Sequence, residues 1–130
     1  MLERPKVFGT TRLVYMAKTW VVKFPRASLW DDEHCNWQQL LNNMAINRYE
    51  AKEMRKHKGK PGIPELIFAD PFGFMVVMKR YKPVPSIPEF VRLYNGLLDK
   101  TDLDPDFWEW DNSMHNFGLT EDGELVKIDL

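Results

Sequence analysis

The chain has little of several things, and each scarcity narrows what it can be. Its one cysteine, Cys35, excludes an internal disulfide and fits a reducing compartment, so the cytoplasm is the expected location. No stretch reaches the roughly eighteen apolar residues that a membrane-spanning helix needs, and the first residues lack the apolar core of a secretory signal. The mature chain is therefore expected to start at Met1, with no membrane partner. Charge of one sign is also lacking: 18 basic residues stand against 19 acidic ones, a net charge of -1. No global field draws the chain to nucleic acid, and none is expected as a partner. The densest basic run, Lys52 to Lys60, lacks interleaved aromatics and reads as a solvated helix end. Of the seven glycines, only Gly9 falls in the stretch Gly9-Thr10-Thr11. His34, Cys35, His57 and His115 do not have the spacing of a structural zinc site. Adjacent residues on a helix point apart, which removes His34 and Cys35 as a nucleophilic pair.

What is present describes a folded domain. Hydrophobic residues make up 44% of the 130 positions and charged residues 28%, ordinary globular usage. A domain of this length buries roughly two-thirds of the surface its unfolded chain exposes. No repeat, low-complexity tract or linker divides it, so one domain over 1–130 is expected.

Strand-like alternation marks Val7 and Phe8, then Leu13 to Tyr15, then Trp20 to Phe24, with Ala17 to Thr19 as a turn and Pro25 as a strand end. From Trp37 to His57 there is neither proline nor glycine. Leu40, Leu41, Met44, Tyr49 and Met54 recur there at near-helical intervals, predicting the longest helix. Gly59, Pro61, Gly62 and Pro64 stop it. Leu66 to Phe68 and Phe74 to Met78 form a predicted hairpin around Asp70, Pro71 and Gly73. Pro83, Pro85 and Pro88 stiffen a connector into a second helix, Glu89 to Lys100. Phe117 to Leu119 and Leu125 to Ile128 form a closing hairpin turned at Glu121, Asp122 and Gly123. The order is strands, helix, strands, helix, hairpin, an α+β arrangement. The aromatics Trp30, Trp37, Phe107, Trp108 and Trp110 are expected mostly in the core, with any exposed subset marking a partner surface.

Phosphoryl transfer needs a cation for the phosphates, an acid fixing that cation, oxygen ligands for a metal, and a base near the acceptor. Lys23 on a strand, Glu50 in mid-helix, and Asp111, Asn116 and Asp129 at the close supply these residue types in order. Taken singly, Lys23 reads as an edge residue and Glu50 as half of a surface ion pair with Lys52 or Lys56. The closing hairpin brings its ends together, so Asn116 and Asp129 face a common point with the oxygen donors Mg²⁺ prefers.

Asp111-x-x-x-x-Asn116 followed by Asp129 resembles the catalytic loop and metal-binding aspartate of the protein-kinase-like superfamily. Trp-Val-Val-Lys23 resembles that family's Val-Ala-Ile-Lys strand, Glu50 its helix-C glutamate, and Val76 to Lys79 its hinge strand. The segment from Asn116 to Asp129 is similar to small kinase-like proteins of bacteria and their phages. The resemblance implies an N-lobe over about 1–82, an antiparallel sheet plus helix C. It also implies a reduced, truncated C-lobe over 83–130, one helix plus the catalytic-loop hairpin. It implies ATP and Mg²⁺ as cofactors: Asp111, Lys23 and Glu50 catalytic; Lys23, Gly9, Thr10, Thr11 and Met78 on the nucleotide; Asn116 and Asp129 on the metal. The implied partner is a protein, as substrate or binding partner, which for a phage protein is a bacterial host protein in the host cytoplasm. A second copy of the chain is the other partner considered.

This sequence departs from the family pattern at the single glycine of 9–11, at Glu109-Trp110 before Asp111, and at Ser113 after it. The resemblance stops at Asp129 and Leu130, so the family's activation segment and later C-lobe helices are expected to be missing. Two functions stay open: an ATP-dependent phosphotransferase, and a non-catalytic pseudokinase-like protein that binds and regulates a host protein. An unrelated α+β fold, with Asp111, Asn116 and Asp129 as turn residues, is the third alternative.

Overall fold

A computed structural model describes residues 6–8, 12–25, 37–109 and 112–129. Its architecture is α+β with antiparallel pairing throughout the described sheets. The chain divides into two compact units, 1–56 with 65–80, and 57–64 with 81–130. The segment His57–Pro64, which sequence reading leaves within 1–82, thus belongs to the second unit.

In the first unit β1 (Lys6–Phe8), β2 (Arg12–Met16), β3 (Trp20–Pro25), β4 (Leu66–Ala69) and β5 (Val76–Lys79) form one sheet in the order β1-β2-β3-β5-β4. The β2–β3 turn closes where it was expected, with Ala17 N–H donating to Trp20 O at 2.8 Å. Helix α1 (Trp37–Lys56) occupies the stretch free of proline and glycine. Arg55 and Lys56 in its last turn complement the helix dipole.

The buried stripe of α1 is Asn43, Met44, Asn47, Glu50, Ala51 and Met54. Leu41 and Tyr49 are exposed, although both are among the apolar residues that recur at near-helical intervals. Three inward positions carry polar side chains, and those of Asn47 and Glu50 find partners on the sheet.

The β4–β5 connection corrects a second expectation. The strand begins at Val76, and Phe74 stands exposed in the loop. The cause is Asp70, whose carboxylate accepts from Phe72 N–H at 3.0 Å and Met75 N–H at 2.5 Å, holding the chain in a turn through Met75. Burial pushes the Asp70 carboxyl up, but backbone N–H groups of Met75, Phe74, Phe72 and Gly73 outweigh it and hold the group below its ordinary value. A lowered native pKa gives stability that is present above the unfolded value of about pH 4 and is lost as pH falls through the native one. Asp70→Asn is therefore expected to lose about 1 kcal/mol at neutral pH. In thermal melts its difference from the parent protein should vanish in acid; a difference that persists there would point to another cause.

The second unit holds α2 (Ile87–Lys100), the short α3 (Pro105–Glu109), a 3-10 turn (Met114–Asn116), and a sheet of β6 (Lys82–Pro83), β7 (Phe117–Leu119) and β8 (Leu125–Lys127). Ser86 caps α2 by accepting from Glu89 N–H at 3.4 Å, with Pro88 in the first turn. Neither β6 nor α3 is foreseen in the sequence; each is too short to show a period. Val84, Leu97, Trp108, Phe117 and Leu125 form the core of this unit. Trp108 is fully buried, and its indole N–H donates to Thr101 Oγ1 at 2.9 Å. Burying a side chain of that size removes on the order of 200 Å² from water, an upper bound near 5 kcal/mol.

Candidate functional site

Strand β3 lies between β2 and β5, and Val21, Val22 and Lys23 are all buried within it. Its register sets Lys23 opposite Val14 on one side and Val76 on the other. A lysine so placed requires a partner, since an isolated buried ammonium costs several kcal/mol. Glu50 of α1 is that partner: Lys23 Nζ donates to Glu50 Oε1 at 2.6 Å. Arg12 of β2 takes the other oxygen, its Nη1 donating to Glu50 Oε2 at 2.5 Å. Glu50 is 0% exposed, and the side chains of Arg12 and Lys23 are 6% and 7% exposed.

Asn47, one helical turn before Glu50 and also fully buried, ties this cluster to the backbone. Its Nδ2 donates to Lys23 O at 3.3 Å and Gly73 O at 3.1 Å, while its Oδ1 lies 3.5 Å from Arg12 Nη1. Arg48 Nη1 donates to Phe72 O at 2.7 Å. Gly73, at φ +91, runs so close to α1 that a Cβ there would lie 2.2 Å from Met44 O. Helix α1 is thereby fixed against β3 and the β4–β5 loop. One carboxylate, two cations and an amide form a buried, hydrogen-bonded centre.

The surface reading of Glu50 does not hold. Among the described residues its ion-pair partners are Arg12 and Lys23 on the sheet rather than Lys52 or Lys56 on its own helix. The edge reading of Lys23 fails as well, because β3 is flanked on both sides.

In the second unit, β7 and β8 pair with Phe117 opposite Lys127. Beyond that pair, Ile128 N–H donates to Asn116 O at 2.8 Å. Asn116 and the residue preceding Asp129 thus share the open end of the hairpin, closed at its other end by Thr120 N–H to Glu124 O at 2.9 Å. Asn116 is buried and Asp129 half-buried. A carboxamide and a carboxylate are oxygen donors that fit Mg²⁺. Met78 is buried in β5, paired with Val21. Gly9, Thr10, Thr11 and Asp111 lie outside the described residues.

Sequence reasoning missed Arg12, Asn47 and Lys127. Two of them carried a signal. Arg12 is two residues before Val14 in a strand, hence on the same face, and Asn47 is three before Glu50 on a helix. Lys127 is buried in β8, where its Nζ donates to Phe107 O at 2.9 Å and lies 5.7 Å from the Phe107 ring centre. Nothing in the alternation of the last strand distinguishes it from a solvated lysine.

No protein-family model and no curated protein matches this chain.

Proposed function

We propose that the protein is a small protein-kinase-like domain that binds a nucleoside triphosphate with Mg²⁺ and serves phosphoryl transfer to a protein hydroxyl. The observation that carries this is the buried Lys23–Glu50 ion pair at 2.6 Å, joining an inner strand of a five-stranded antiparallel sheet to the middle of the long helix. On this proposal the first unit is a kinase-like N-lobe. Lys23 would contact phosphate oxygens, and Glu50 would hold the ammonium in place. Asn116 and Asp129 would hold Mg²⁺, which supplies charge neutralisation on the phosphates when bound. Asp111 would orient the acceptor hydroxyl, Gly9 to Thr11 would adjoin the phosphates, and Met78 would contribute to the adenine side.

Calorimetric titration with Mg²⁺ and a non-hydrolysable ATP analogue tests this. Saturable binding is expected, weakened at least about tenfold in Lys23→Ala, or about 1.4 kcal/mol. Circular dichroism should show the variant folded, since Glu50 keeps Arg12. Absence of any saturable response from the parent protein overturns the proposal.

One observation favours the pseudokinase-like alternative, a regulator of a host protein. Trp37, Leu41, Ile67, Phe68, Phe72 and Phe74 of the first unit are all exposed large hydrophobics, the composition of a protein-binding surface. A stable protein complex formed without nucleotide, together with a silent titration, would select it.

A further inference from the structure

The outward side of α1 differs from an ordinary solvated helix face. Trp37, Leu41, Arg48, Lys52 and Arg55 are all exposed, and they fall within about 60° of one another at about 100° per residue. Apolar and cationic side chains therefore share one arc instead of occupying opposite faces. That arc holds no acid. The helix has only Glu50, buried on the opposite side, and Glu53, half-buried about 100° beyond the edge of the arc. Among the described residues Lys52, Arg55 and Lys56 form no ion pair. The helix dipole accounts for Arg55 and Lys56 in the last turn, but it fades within that turn and gives no reason for Lys52.

Through Arg48 the arc continues onto the β4–β5 loop. Arg48 Nη1 donates to Phe72 O at 2.7 Å, and a Cβ on Gly73 would lie 3.1 Å from Arg48 Cγ. Phe72 and Phe74 are exposed there, with ring centres 6.4 Å apart. Asp70, the acid of this loop, accepts from the N–H groups of Phe72 and Met75. Trp37, Leu41 and Phe72 are each more than half exposed.

A surface of this composition discriminates among occupants. A second copy docked through the same face brings further cations and no acid to meet them. A helix lying in a membrane interface needs an apolar face with its cations on the other side, whereas here both share one side. A nucleic acid would leave Leu41, Phe72 and Phe74 against a phosphate backbone. An acidic segment of another protein satisfies both components, since its carboxylates meet Lys52 and Arg55 while its apolar side chains cover Leu41 and Phe72.

We propose that this face of the first unit docks an acidic segment of a partner protein, one that carries large apolar side chains beside its carboxylates. This rests on the protein-binding reading of the exposed hydrophobics, adds the chemistry of the partner, and holds whether or not nucleotide binds.

The test is selection of a displayed library of random peptides on the parent protein, followed by affinity measurement with the synthesised consensus peptide. The recovered peptides are expected to be net negative and to carry large apolar side chains. The consensus should bind Lys52→Glu/Arg55→Glu and Leu41→Gln at least about tenfold more weakly than the parent, and raised salt should weaken its binding to the parent. Both variants change exposed side chains and should bind the ATP analogue as the parent does. A neutral or basic pool whose binding Leu41→Gln weakens overturns the acidic partner and leaves the protein-binding reading standing. A consensus that binds both variants as tightly as the parent, or no recovered peptide, overturns the docking face. So does a dimer that Leu41→Gln dissolves, or capture on phosphatidylserine vesicles that Lys52→Glu/Arg55→Glu abolishes, in place of peptide binding. Should either variant not fold, the amide resonances of residues 41–55 in the parent protein decide: the consensus peptide shifts them, and unmoved resonances overturn the proposal.

Discussion

Glu50→Ala is expected to destabilise the protein by about 3–5 kcal/mol, the cost typical of removing one partner from a buried charge network. Two cations with side chains 6% and 7% exposed would lose the carboxylate that both contact. Removing one cation instead leaves Glu50 with the other, so Lys23→Ala and Arg12→Ala should each cost less than Glu50→Ala. The ordering matters because it separates two physical pictures. A solvent-exposed helical glutamate contributes about 0–1 kcal/mol through its ion pair. Urea denaturation followed by circular dichroism measures the difference. A loss below about 1 kcal/mol for Glu50→Ala would mean the carboxylate is solvated and the centre is not preorganised.

Gly73→Ala is expected to cost about 3 kcal/mol or more, through two effects that add. The backbone at φ +91 is one that side chains rarely adopt, worth about 1–2 kcal/mol. The added Cβ would also lie 2.2 Å from Met44 O. That oxygen belongs to helix backbone, so relief requires α1 to move from the loop rather than a side chain to turn. Such movement strains the bonds from Asn47 to Gly73 O and from Arg48 to Phe72 O. Overpacking of this kind costs about 1–3 kcal/mol. Gly59→Ala provides the control. Gly59 has φ +84 but nothing within 4 Å of an added Cβ, so it should show the conformational cost alone. Equal losses at the two glycines, read from denaturation midpoints, would remove close helix–loop packing as the cause. A larger loss at Gly73, with weaker nucleotide-analogue binding, would tie that packing to the Glu50 centre.

The long elements were legible because local chemistry specifies them. Twenty residues without proline or glycine form α1, and the breakers after Lys56 end it. Alternation places β2 and β3, and Pro88 marks the start of α2, whose cap at Ser86 only the structure shows. The orientation of α1 was not legible in the same way. A hydrophobic stripe is expected to face inward, yet Leu41 and Tyr49 face out while Asn47 and Glu50 face in. Binary patterning fails there because a polar side chain is stable inside when its partners arrive from elsewhere in the chain. Those partners lie 27 and 38 residues from Glu50 in sequence, and no local period encodes such a meeting.

The sequence by itself determined the order of the longer strands and helices, the residue types available for phosphate and metal, and the turn at Glu121, Asp122 and Gly123 in the closing hairpin. Periodicity, proline and glycine act over a few residues, so these features need no knowledge of the fold. The tertiary structure alone decided that Glu50 is buried, that it serves two cations, and that Arg12 is one of them. It decided too that Gly73 touches the helix backbone. Strand register and the docking of α1 onto β3 bring these groups together. In a low-dielectric interior each charge needs its partner, because an unpaired buried charge costs on the order of several kcal/mol.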